Sequence, residues 1–154
     1  MNANNFTQKS LEALQGAQTA AQRHGNQQIE QSHLMLALLD QEGGLIPQLL
    51  TRMEITVPSF RAAVQAEVER LPKVSGSGRE AGKLYISAGT DKAINAATDA
   101  AVAMKDEYVS VEHLLLGLLE MGRGNLRNLL ETYRITKEDA LKALETLTMF
   151  IEGV

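Results

Sequence analysis

Glu30-Gln31-Ser32-His33-Leu34-Met35-Leu36-Ala37-Leu38-Leu39 and Ser110-Val111-Glu112-His113-Leu114-Leu115-Leu116-Gly117-Leu118-Leu119 are two versions of one segment, offset by 80 positions. Each is apolar nearly all round, so each reads as a helix at the centre of its own unit. With no gap, the same offset pairs Ala13 with Ala93, Ala17 with Ala97 and Ala20-Ala21 with Ala100-Ala101. Beyond the central helix it pairs Gly44 with Gly124, Leu49-Leu50 with Leu129-Leu130 and Ile55-Thr56 with Ile135-Thr136. Identity concentrated at apolar and capping sites marks a duplicated structural unit.

Each copy reads as four helices. In the first, Leu11, Leu14, Ala17 and Ala21 form one stripe, Thr7 caps its start and Gly25 ends it. Ile29 anchors the following link, and Ser32 is the expected cap of the central helix. A short helix covers 46–53. A fourth starts after Thr56, buries Phe60, Val64, Val68 and Leu71, and stops at Pro72. The second copy repeats the order: 90–105 with Ile94, Ala97, Ala101 and Met104 on one face, then 111–120 capped by Ser110. A helix over 126–133 follows, and a last one after Thr136-x-x-Asp139 runs to about 148. Repeat one therefore spans about 6–71, a glycine- and serine-rich connector about 72–87 and repeat two about 88–148, within a single domain 1–154. Lys83-Leu84-Tyr85-Ile86 reads as an extended lead-in without a partner strand. The expected fold is all-α, a pseudo-twofold pair of four-helix units packed across a shared core. Such a pair leaves grooves along its seam, lined by Leu, Ala and Met, that suit an apolar peptide.

The chemistry is sparse. The 154 residues are 44% hydrophobic but only 4% aromatic, with no Trp and no Cys, so thiol catalysis and thiolate metal sites are excluded. A net charge of -4 without a basic cluster argues against nucleic acid. No apolar run approaches the length of a membrane span, and the polar start 1–9 lacks the core of a signal peptide, so a cytoplasmic protein is expected. No P-loop pattern occurs. The histidines lie outside metal-ligand spacings. His33 and His113 open the two central helices, where a ring can bond to the backbone and fix the helix start, and His24 reads as a solvated helix end. Met35 and Met104 are assigned to the core, Glu67-Glu69-Arg70 to a solvated face, and Tyr108 beside Asp106-Glu107 to an exposed link.

The run 26–44 resembles the first repeat of a Clp N-terminal domain, and 108–119 resembles the second. The link Leu71-Pro72-Lys73-Val74-Ser75-Gly76 is similar to that of ClpB-type disaggregases. The resemblance covers about 6–147. It implies a substrate-capture cap of an ATP-driven ring that binds unfolded or aggregated polypeptides and cooperates with the DnaK chaperone system. The parent would be a hexamer holding ATP and magnesium, with no cofactor in this chain, and the isolated domain would be monomeric. The alternative is an adaptor-docking domain of a ClpC- or ClpA-type unfoldase that feeds a protease. By the same resemblance, Thr7, Asp106 and Glu112 are polar substrate contacts, and Ala96, Ala100 and Tyr108 fall near a shallow apolar groove. The apolar tail 149–154 departs from the polar linker expected after such a domain.

Overall fold

The computed structural model describes residues 5–74 and 84–152. Among them are eight helices: α1 Gln8–Arg23, α2 Gln31–Asp40, α3 Leu45–Arg52 and α4 Val57–Arg70, then α5 Ala88–Ala103, α6 Val111–Met121, α7 Gly124–Thr132 and α8 Lys137–Glu152. The all-α reading holds, with two additions. Two-residue strands β1 (Gln28–Ile29) and β2 (Tyr85–Ile86) pair in parallel, Gln28 with Tyr85 and Ile29 with Ile86. Tyr85-Ile86 thus has a partner, which the sequence did not reveal because the two strands lie more than fifty residues apart. A single parallel bridge joins Phe6 to Val109.

These two pairings are the same pairing with the copies exchanged. Phe6 is the counterpart of Ile86, and Val109 of Ile29, at the offset of 80. The lead-in of each copy therefore pairs with the link of the other. The bonds repeat as well: Thr7 N–H donates to the Val109 carbonyl at 3.0 Å, and Ser87 N–H to the Ile29 carbonyl at 3.2 Å. The helix caps follow suit. Thr7 Oγ1 accepts from Ser10 N–H and Ser87 Oγ from Thr90 N–H, at 3.1 and 3.2 Å, so the hydroxyl types are swapped and the geometry is kept.

The central helices α2 and α6 carry most of the large fully buried side chains, among them Leu34, Met35, Leu38, Leu114, Leu115, Leu116 and Leu118; Phe60 of α4 is the largest. Helix α1 packs on α2, and α5 on α6. Each crossing holds one glycine, on opposite partners. In copy one Gly16 of α1 meets Ala37 of α2. In copy two the pair is Ala96 and Gly117, and α6 presents the glycine against the backbone of Ala93 and Ala97. Phe60 of α4 and Tyr133, the cap of α7, stack edge to face with centroids 5.1 Å apart and so join the copies at the other end.

Several expectations need correction. The cap of α2 is Glu30, two residues before Ser32; Ser32 is buried in the first turn. Met104 ends α5 on the surface at 39% exposure, whereas Met35 is in the core. Glu67 is not solvated: it is 6% exposed, bonded to Arg70 at 2.8 Å and to Asn125 of the other copy at 3.0 Å. Thr56 occupies the cap position of α4 without a side-chain bond. His24 is half-buried and its Nδ1 lies 2.8 Å from the Ala20 carbonyl oxygen. Helix α8 continues to Glu152, past the expected end near 148. The connector is pinned at both ends, by Val74 N–H to the Gly25 carbonyl at 2.8 Å and by β2; its part 75–83 lies outside the described residues.

Candidate functional site

Two clusters carry the features that the sequence singled out. The first surrounds the link 106–110. His113, buried at the third position of α6, accepts the Ser110 N–H on Nδ1 at 2.8 Å. Its Nε2 lies 2.7 Å from Asp106 Oδ2. Because Nδ1 is an acceptor, the hydrogen sits on Nε2 and donates to Asp106. Copy one repeats this. His33 Nδ1 accepts the Glu30 N–H at 2.9 Å and Nε2 donates to Asn26 Oδ1 at 2.8 Å. The expectation that these histidines fix the helix starts is met in both copies. Burial, with a lesser contribution from the charge of His24, pushes His33 down from 6.5 to about 4, which suits a ring that must stay neutral to accept. The partner differs between copies. Asn26 is buried and also donates to the Pro72 carbonyl at 3.0 Å, whereas Asp106 is exposed on the surface.

Thr7 stands beside this link through its bond to Val109, and Ser10 Oγ adds a second bond to the Val109 carbonyl at 2.9 Å. Glu112 lies half-buried in the first turn of α6. Thr7, Asp106 and Glu112 are therefore attached to one short segment, 106–112. Tyr108 is exposed there at 48%. Ala96 and Ala100 are half-buried on the flank of α5 shared with Ala93 and Ala97, which faces α6.

The second cluster is an apolar groove of about 320 Å³ between α1 and α5, floored by the strands. Leu11, Leu14, Ile29, Leu34, Ile86 and Ile94 supply its apolar surface, and Gln15 and Gln18 stand on its α1 side. It does lie on the seam, and the expected Leu and Ala are there as Leu11, Leu14, Leu34 and Ala17, but Ile and Gln join them and no Met lines it. Ala96, Ala100 and Tyr108 are not among its lining residues. The sequence concealed the groove because Ile86 joins it only through the β1–β2 pairing. The apolar stripe of α1 gave the one available signal: Leu11 and Leu14 remain only partly buried by the core.

A further polar seam binds the copies. Gln31 Nε2 donates to the carbonyls of Gly89 and Met121 at 2.9 and 3.0 Å, and its Oε1 accepts the Arg123 N–H at 3.1 Å. The counterpart of Gln31 is Val111, so this clamp exists only once.

Residues 5–133, across both copies, match the family described as "Clp repeat (R) N-terminal domain". The chain belongs to this Clp N-terminal domain family. The family is described as a repeat domain. Among its relatives, the chaperone protein ClpB of Bacillus anthracis is 34% identical over 147 residues, which cover 96% of this chain and 17% of that protein. The chain thus spans about one sixth of that relative's length. The Clp N-terminal fold recurs in the Hsp104 N-terminal domain of Candida albicans, with a TM-score of 0.77 and 18% identity over 90% of this chain and 88% of that one. It recurs in the N-terminal domain of ClpD from Arabidopsis thaliana, with a TM-score of 0.69 and 22% identity over 96% and 97%. Among the described residues, no helix is long and apolar enough to cross a membrane.

Proposed function

We propose that this Clp N-terminal domain captures exposed apolar segments of unfolded or aggregated polypeptides and delivers them to a ClpB-type ATP-driven ring. The observation that carries the reading is the apolar groove between α1 and α5, open to solvent and walled by Leu11, Leu14, Ile86 and Ile94. A surface with few fixed polar groups selects for apolar bulk more than for sequence. Weak binding of this kind gains strength when several copies act on one chain, as in a hexameric ring. Within the proposal, ATP and magnesium belong to the parent ring, the DnaK system is its cytoplasmic co-worker, and the isolated domain is a monomer.

Thr7, Asp106 and Glu112 are proposed as a second, polar contact for the captured polypeptide. The two copies support a role for the Asp106 charge. Asn26 makes the same bond to His33 without a charge, so the fold requires only an acceptor at this position. Asp106→Asn should therefore leave the melting temperature almost unchanged while weakening polypeptide binding. Thr7→Ser should preserve both cap and binding.

The decisive experiment titrates the domain with a fluorescently labelled, permanently unfolded protein and with its native form. Saturable binding of the unfolded form alone, reduced at least about fivefold by Leu11→Asp, supports capture. Binding confined to a folded adaptor would replace this reading with adaptor docking. No binding of the unfolded form at any concentration refutes it.

A further inference from the structure

The two reciprocal strand pairings share the bond from Thr7 or Ser87 to the facing carbonyl and differ in what covers them. In β2 the ladder uses the N–H of Tyr85, to the Gln27 carbonyl, and of Ser87, to the Ile29 carbonyl. Backbone groups alternate sides along a strand, so those of Ile86 point to the outer edge. Phe6 holds the same position in the other pairing, between the bonded groups of Asn5 and Thr7. Phe6 is buried at 7% exposure, whereas Ile86 is 48% exposed. The side chain of Ile86 also lines the apolar groove. Among the described residues one of the two edges is therefore open, and it opens where the groove lies.

We infer that β2 is a template for an added strand: an extended segment of the captured polypeptide lies between β2 and α1 and pairs its main chain with the N–H and carbonyl of Ile86. Alternate side chains of that segment enter the groove against Leu11 and Ile94, and main-chain pairing needs no particular sequence. This mode rests on the capture reading above and specifies how the groove is used.

Charge defines what flanks the apolar residues. Asp91 is exposed in the first turn of α5, next to the groove residue Thr90. Its counterpart in copy one is Leu11, which lies within the groove. The duplicated position is thus apolar on one wall and anionic beside the other. Among the described residues, the Asp91 carboxylate accepts a side-chain hydrogen bond only from the neutral amide of Asn95, at 3.4 Å. The occupant that fits is an apolar segment bordered by Lys or Arg.

The test uses a labelled, non-repetitive ten-residue peptide of Val, Leu and Ser with one terminal Lys, followed by fluorescence anisotropy. Two further peptides carry N-methyl groups at odd or at even positions. Strand addition predicts that one parity weakens binding about fivefold or more and the other by less than about twofold, since roughly one hydrogen bond's worth of affinity resides in alternate N–H groups. In the domain, Ile86→Pro should bind about fivefold more weakly than Ile86→Ala, because both lose the side chain and only proline loses the outward N–H. Neither change removes a ladder bond, so both should melt together. Replacing the terminal Lys with Glu should weaken binding about threefold, and Asp91→Asn should abolish that difference. Equal effects of the two parities, or equal binding by Ile86→Pro and Ile86→Ala, would overturn strand addition and leave capture standing. Failure of the parent peptide and of unfolded protein to bind would overturn both.

Discussion

Replacing Gly117 with alanine adds a single methyl group where it would be more crowded than at Gly16, Gly44, Gly89 or Gly122. The new Cβ would overlap the carbonyl oxygen of Ala93 and stand 2.9 Å from the nitrogen of Ala97. Both obstacles are backbone, which cannot rotate aside as a side chain can. Helix α5 must instead move away from α6 along the face packed by Ala93, Ala97 and Ala101. Overpacking of this kind costs about 3 kcal/mol. Alanine recovers about 1 kcal/mol as a better helix former than glycine. The net loss is about 2 kcal/mol, or a fall of roughly 4–8 °C in melting temperature for a domain of this size. Gly16 is the internal control. A Cβ there meets only the Cβ of Ala37, at 3.3 Å, a gap that a shift of a few tenths of an ångström relieves. Gly16→Ala should therefore change stability by less than about 0.5 kcal/mol, because the propensity gain offsets the crowding. Both variants are read by thermal melting followed by circular dichroism and by urea titration. If Gly117→Ala melts with the parent protein, or if Gly16→Ala is the more damaging change, the proposed distinction between backbone and side-chain obstacles is wrong.

Two other perturbations follow from the polar bonds. The pKa of His33 is lowered on folding from 6.5 to about 4, so its contribution is complete above 6.5 and is lost as pH falls from 6.5 toward 4. The loss is at most about 3 kcal/mol; melting temperature should drop across that interval, and His33→Gln should be less stable at neutral pH but show a flatter decline. Gln31→Ala removes three bonds across the copies and leaves the Gly89 and Met121 carbonyls and the Arg123 N–H without this partner. A loss of about 2–3 kcal/mol is expected in urea titration, whereas Gln27→Ala, on the exposed link, should be neutral.

The polar bonds show why some assignments could be made in advance and others could not. The serine, threonine and histidine caps act within three residues, so Thr7, Ser110, His33 and His113 were legible from local spacing. Ser32 misled because it is a favourable capping residue two positions too far along, while Glu30 holds the position that Ser110 holds in the other copy. Glu67 carried no warning of burial, since its partner Asn125 is in the other copy. Met104 follows the α5 stripe in register but falls at the helix end, where it is left 39% exposed.

By itself the sequence determined the duplication, the eight helices, the two buried central helices and the histidines that open them. All of these depend on periodicity or on contacts a few residues apart, which an offset of 80 then repeats. Only the tertiary structure decided how the copies exchange strands, where the glycine of each crossing is needed, which carboxylate is buried and where the apolar groove lies. Those features arise between residues distant in sequence, and equal positions in the two copies acquire unequal surroundings. Ile86 and Phe6 make the same pairing, yet one is open beside the groove and the other is covered.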